Sequence, residues 1–97
     1  NMEEISIRST VETDLDFVLQ AENTPENAPY VAQWTKEQHV RAFADPDILH
    51  VIIETEGKSV GYAILAGLQN SHKAIELKRI VIVEKGKGLG RRALELF

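Results

Sequence analysis

The segment that most constrains this chain is Lys85-Gly86-Lys87-Gly88-Leu89-Gly90-Arg91-Arg92, a basic, glycine-rich run between a strand pattern and a helix pattern. Ile80–Val83 precede it as an apolar run, and Ala93, Leu94, Leu96 and Phe97 follow at near-helical spacing. Glycines at such a junction let the backbone approach a ligand closely, and the start of a helix offers unpaired N–H groups to an anion. Residues 78–92 hold Lys78, Arg79, Lys85, Lys87, Arg91 and Arg92 against only Glu84, in a chain of formal net charge −4. An acidic chain with one basic glycine segment points to a local phosphate or pyrophosphate site rather than to general affinity for nucleic acid. No G-x-x-x-x-G-K-[ST] occurs, so a P-loop is excluded. Gly88-x-Gly90-x-x-Ala93 fits the dinucleotide fingerprint formally, but no parallel βαβ unit precedes it and no following strand or acidic residue completes it. The bland alternative is a glycine-rich turn with a solvated basic face.

The rest of the chain reads as short elements. Ile5–Ser9 alternates apolar and polar, a first strand. Thr13 is placed to cap a helix carrying Leu15, Val18 and Leu19 at helical spacing, with Asp14 and Asp16 complementing its dipole. Asn23–Tyr30, with two prolines and two asparagines, is a loop. Thr35-x-x-Gln38 is a capping box that opens a second helix with Val40, Phe43 and Ala44 on its apolar face; Asp45-Pro46-Asp47 ends it. Val51–Ile53 is a buried strand, Glu56-Gly57-Lys58 a hairpin turn, and Val60–Leu68 the returning strand. Asn70–Lys73 turns into a fourth strand, Ile75–Val83, and the glycine run leads into a third helix. The order β-α-α-β-β-β-α makes an α+β layer fold. In the fourth strand the apolar phase slips near Lys78–Ile80, so either a β-bulge sits there or the C-terminal half is buried on both faces.

Composition narrows the classes further. Ninety-seven residues, 43% hydrophobic and 27% charged, suit one small domain that buries about 60–65% of its unfolded surface, not a disordered or fibrous chain. No apolar run reaches the ~18 residues of a membrane span, the acidic N-terminus is unlike a secretory leader, and cysteine is absent. A soluble cytoplasmic protein is the expectation, with neither a membrane nor a nucleic acid as partner and no metal site. Asn1 precedes the single methionine, so Met2 reads as the natural start, and the C-terminus stops inside a helical pattern.

A strand followed by Lys85-x-x-Gly88-x-Gly90 and a basic helix resembles the (Arg/Gln)-x-x-Gly-x-(Gly/Ala) motif of the GNAT superfamily of N-acetyltransferases, with Lys85 in place of the usual Arg or Gln. The element order is similar to the same fold. Ile7-Arg8, Asp14-x-Asp16, Val60-Gly61-Tyr62 and Glu76-Leu77-Lys78-Arg79 look most like the ribosomal-protein alanine acetyltransferase branch. The resemblance implies a mixed or antiparallel sheet with flanking helices, complete only in its first two-thirds, so that residues 1–97 form a single, truncated acetyl-CoA-binding domain without its C-terminal strands. It implies an acyltransferase that passes an acetyl group from acetyl-CoA to a primary amine of a small molecule or protein N-terminus by direct attack. The alternative is a non-catalytic CoA-binding or assembly domain that lacks the acid-bearing C-terminal part.

By the same resemblance, Lys85, Gly86, Lys87, Gly88, Leu89, Gly90 and Arg91 hold the pyrophosphate. Main-chain groups of Ile80, Val81 and Ile82 pair with the pantetheine arm as an added strand would. Arg92 is a further phosphate contact or a solvated side chain. Amine acetylation needs a base, since a protonated amine is no nucleophile; Glu76 matches the fourth-strand Glu that serves in some members, and its rival role is a surface pair with Lys78 or Lys73. His50 and His72, at a strand edge and a turn, and His39, on the polar side of the second helix, are expected to be exposed. The segment Glu26–Tyr30 with Trp34 suits a lid over the acceptor, or else Tyr30 and Trp34 pin that loop to the core. With the C-terminal strands missing, the fourth strand is an apolar sheet edge through which a homodimer could form.

Overall fold

In the computed structural model, residues 4–24, 27, 33–69, 75–83 and 88–96 are described. The alternating stretches become one antiparallel sheet in the order β1 (Ile5–Ser9), β2 (Ile48–Thr55), β3 (Lys58–Ala66), β4 (Glu76–Ile82). Between β1 and β2 lie α1 (Leu15–Glu22) and α2 (Lys36–Ala44), and α3 (Leu89–Leu94) follows β4. This is the expected order of elements. Residues 1–3, 25–26, 28–32, 70–74, 84–87 and 97 fall outside the described residues, and with them Lys85, Gly86, Lys87, His72, Tyr30 and most of the suggested lid.

Local chemistry explains most element ends. The Thr35 hydroxyl accepts from the Gln38 N–H at 3.2 Å while the Gln38 side chain accepts from the Thr35 N–H at 2.7 Å, the reciprocal box that starts α2. Glu56 and Gly57 both take positive φ, 51° and 77°, as a two-residue hairpin turn of type I′ requires. Thr13, expected to cap α1, lies instead inside a 3-10 turn over Glu12–Asp14. That turn is organised by Asp14, whose carboxylate accepts two bonds from the Arg8 guanidinium at 2.8 Å and one from the Val11 N–H at 2.8 Å.

The sheet is covered on both faces. On one, α1 packs Val18 and Ala21 onto Ile52, Tyr62, Ile64 and Val81. On the other, Leu89 and Ala93 of α3 pack onto Val51, Ile53, Ala63, Leu65 and Ile82. The buried face of α2 is His39 and Ala42, whereas Val40 and Ala44, expected inward, are exposed. Partners already inside the protein draw His39 in, as described below. Among the described residues no helix is long and apolar enough to cross a membrane.

Candidate functional site

Two features meet at β4. The first is its shape. Arg79 pairs with Ile64 and Leu77 with Leu65, so Lys78 is an extra residue without a partner in β3. This bulge falls where the apolar phase slips in the sequence, and it swings Arg79 onto the α1–α2 face together with Val81. Beyond the bulge, Val81 and Ile82 are buried on opposite faces, so the second reading of the phase slip also holds.

β4 lies at the edge of the sheet. The Val83 N–H donates to the Val60 carbonyl at 2.8 Å, which turns Val83 toward β3; by strand alternation the main-chain groups of Ile80 and Ile82 face the outer edge. The Ile82 carbonyl accepts from the Asn27 side-chain amide at 3.1 Å, tying the region after α1 to the end of β4. Ile82 also fills the space between β3 and α3. A Cβ on Gly61 would lie 2.4 Å from the Val81 carbonyl oxygen and 2.7 Å from Ile82 Cδ1, so only glycine permits β3 and β4 this close.

Gly88 opens α3 at φ 64°, a left-handed conformation that a side chain disfavours, and its carbonyl accepts the first helical bond from the Arg92 N–H at 3.0 Å. A Cβ on Gly90 would make only an ordinary 3.7 Å contact with Ile82 Cγ1, so packing within the protein does not demand a glycine there. Leu89 is buried as a core anchor, and Arg91 is exposed on the helix. The structure therefore brings Ile80, Val81, Ile82, Gly88, Leu89, Gly90 and Arg91 to one end of the sheet. Glu76 stands at the other end of β4, 68% exposed, 3.1 Å from Lys78 Nζ.

The second feature escaped the sequence reading. The Glu22 carboxylate, at 0% exposure, is engaged on both oxygens. Oε1 lies 2.9 Å from His39 Nε2; Oε2 accepts from the Tyr62 hydroxyl at 2.8 Å and from the Arg79 guanidinium. His39 Nδ1 lies 3.1 Å from His50 Nε2, and His50 Nδ1 lies 2.8 Å from the Thr10 hydroxyl. The Tyr62 ring stacks on His50, and Arg79 lies over Trp34 at 4.8 Å from the ring centre. The expectation that His39 and His50 are exposed is thus corrected: both are buried, because each ring nitrogen finds a partner within the protein. Trp34 packs on the core, in line with its pinning role.

Burial alone would push the Glu22 carboxyl up, but the bonds from His39 and Tyr62, together with the Arg79 charge and that of His39 when protonated, outweigh it and hold it below the usual carboxylate range. Burial, then the repulsion that a protonated His39 would exert, pushes His50 down to about 4. Burial pushes the Tyr62 hydroxyl up. One signal for the cluster was present in the sequence: Glu22 follows Leu15 and Val18 on the inward stripe of α1, and His50 shares strand parity with Ile52. Among the described residues no group of three or more His, Asp or Glu side chains is placed to hold a metal ion.

The fold has counterparts among solved structures. An acetyltransferase from Thermus thermophilus superposes over 99% of this chain with a TM-score of 0.76 at 22% identity. The fold is that of the GNAT acetyltransferases. The ribosomal-protein-S18-alanine N-acetyltransferase from Escherichia coli matches over 96% of the chain, at TM-score 0.72 and 21% identity. A spermidine N-acetyltransferase from Vibrio cholerae matches over 95%, at 0.73 and 20%. The chain spans 70%, 56% and 59% of the length of those three structures. No protein-family model matches the chain, and no curated protein matches it by sequence.

Proposed function

We propose that this chain is the acetyl-CoA-binding part of an N-acetyltransferase that acetylates a primary amine. The observation that carries the reading is the bulged β4 edge, which turns main-chain groups of Ile80 and Ile82 outward beside the left-handed Gly88 at the start of α3. An amide-bearing pantetheine arm would pair with that edge as a short added strand, using the groups that Asn27 leaves open. Main-chain N–H groups from Lys85 to Arg91 would receive the pyrophosphate, assisted by the charges of Lys85, Lys87 and Arg91.

In the reaction the amine lone pair attacks the thioester carbonyl carbon; a C–N bond forms, the C–S bond breaks, CoA leaves as the thiolate, and the proton that the nitrogen sheds on becoming an amide passes to that thiolate. The amine must first lose a proton, and Glu76 is the proposed base. The acceptor is proposed as a small amine or a protein N-terminus, the two kinds named for the Vibrio and Escherichia neighbours. The exposed pairing of Glu76 with Lys78 favours the rival reading, a CoA-binding domain without catalysis.

Titrating the chain with acetyl-CoA tests the binding, and release of CoA thiol with spermidine or an alanine-ended peptide tests the transfer. Saturable binding that Gly88→Glu abolishes supports the anion site; unchanged affinity in that variant removes it. Binding without transfer to any amine selects the rival.

A further inference from the structure

The buried cluster has a property that neither acetyl transfer nor packing uses. Three of its hydrogen bonds run in one line up to the point where Tyr62 and Arg79 join at Glu22: Thr10 Oγ1 to His50 Nδ1, His50 Nε2 to His39 Nδ1, and His39 Nε2 to Glu22 Oε1, at 2.8, 3.1 and 2.9 Å. A carboxylate only accepts, so His39 Nε2 carries a proton in every state of the chain. The remaining two bonds can then run in either of two directions. With His39 neutral, its Nδ1 accepts from His50 Nε2–H, and His50 Nδ1 accepts from the Thr10 hydroxyl. With His39 charged, its Nδ1–H donates to His50 Nε2, and His50, still neutral, donates from Nδ1–H to the Thr10 oxygen. Both states satisfy every ring nitrogen. A second proton does not fit, because two N–H groups would face each other between charged rings.

We propose that Thr10, His50, His39 and Glu22 form a reversible hydrogen-bond wire that stores a single proton by reversing its direction and thereby controls the hold of Glu22 on Arg79. The proton balance is simple. Thr10 passes its hydroxyl proton to His50 Nδ1 and takes the incoming one, while the proton on His50 Nε2 moves to His39 Nδ1. One proton enters, one imidazole changes charge, and the other changes only its tautomer. The depression of His50 to about 4 fits a ring that conducts without keeping a charge.

The groups that face the wire come from every neighbouring element: Arg8 of β1 acting through Asp14, Asp14 from the 3-10 turn, Glu22 from α1, Tyr62 from β3 and Arg79 from β4. In the resting state Glu22 and Arg79 balance one another. With His39 charged, two cations share one carboxylate, and Arg79, whose side chain is 12% exposed and lies over Trp34, is the one able to turn toward solvent beside the bulge. The wire is thus a pH-responsive control on the charge presented by β4.

The test is long-range proton–nitrogen NMR on the 97-residue chain with labelled histidine, followed from pH 8 to pH 5. The expected result is that His39 becomes an imidazolium while His50, over the same interval, changes from the Nε2–H to the Nδ1–H tautomer without becoming charged. Two rings that charge independently overturn the proposal, and so does a His50 that keeps one tautomer throughout. Arg79→Gln removes the competing cation and is expected to move the midpoint of the change to higher pH. An unmoved midpoint in that variant breaks the link to Arg79, and if it does not fold, the tautomer measurement on the unaltered chain still decides.

Discussion

Oε1 of Glu22 lies 2.9 Å from Nε2 of His39, and neither side chain has any exposure to solvent. A charge so placed is tolerated only while its partners are in position. Glu22 sits at the end of α1, His39 in α2, and the other partners of the carboxylate in β3 and β4, so one carboxylate ties both helices to the sheet.

Glu22→Gln is expected to destabilise the fold by about 3 kcal/mol or more, because it leaves Arg79 without its counter-charge and turns an amide N–H₂ toward existing donors. Urea unfolding at pH 7 measures it. A loss below 1 kcal/mol would mean that the site relaxes enough to admit water.

Stability should fall on mild acidification. His50 is held near 4 in the folded protein against about 6.5 in the unfolded chain, so the unfolded chain binds the extra proton first. The contribution is complete above about pH 6.5 and declines by about 3 kcal/mol as pH falls to about 4. Unfolding curves taken across that interval, beside those of His50→Asn, read it directly; parallel curves for the two proteins would contradict it.

The Arg8–Asp14 pair gives a separate signature at lower pH. The bonds from Arg8, against a smaller opposing effect of burial, hold the Asp14 carboxyl below its usual range. Its contribution is present above about pH 4 and is lost as pH falls through the depressed folded value. Asp14→Asn is expected to cost about 1 kcal/mol at neutral pH, a modest figure because the Arg8 side chain is 39% exposed, and the gap should close at the lowest pH.

Deleting Lys78 separates folding from cofactor binding. Leu77 and Arg79 already pair with adjacent residues of β3, so removal of the extra residue leaves a regular ladder. The shortened chain is expected to fold with stability within about 1 kcal/mol of the parent and to bind acetyl-CoA at least ten-fold more weakly. Undiminished affinity would show that the bulge is not what prepares the edge.

Glu76→Gln addresses the proposed base. The expected outcome is slower transfer at neutral pH, by about ten-fold or more, with acetyl-CoA affinity intact. An unchanged rate assigns Glu76 to its surface pair with Lys78.

Features encoded over a few neighbouring residues were legible in the sequence: the Thr35–Gln38 box, the Glu56-Gly57 turn, the slip at Lys78 and the order of elements. The glycine segment led to the right fold because its spacing expresses a backbone need, seen here as the positive φ of Gly88. The polar cluster was not legible as a cluster. Its members lie on separate elements, Glu22 and Arg79 being 57 positions apart, and a charged or imidazole side chain taken alone belongs at the surface. Only when the sheet brings several such groups together does mutual hydrogen bonding outweigh the cost of burying each one. Thr13 was misread for a similar reason, since Arg8, in a different element, recruits Asp14 to organise the turn.

The connection lengths carry a consequence for how the chain assembles. Glu56 and Gly57 alone separate β2 from β3, whereas β1 reaches β2 across about 40 residues, from Ser9 to Val51. Closing the short hairpin costs far less chain entropy, so β2 and β3 are expected to meet first and β1 to arrive near the rate-limiting step or after it. His50 and Tyr62 would then wait, partly wetted, on an early hairpin until Glu22 and Thr10 are delivered by the slower N-terminal segment. The order in which the molecule finds its shape leaves the two histidines open to the acidity of the medium up to the last stage of folding.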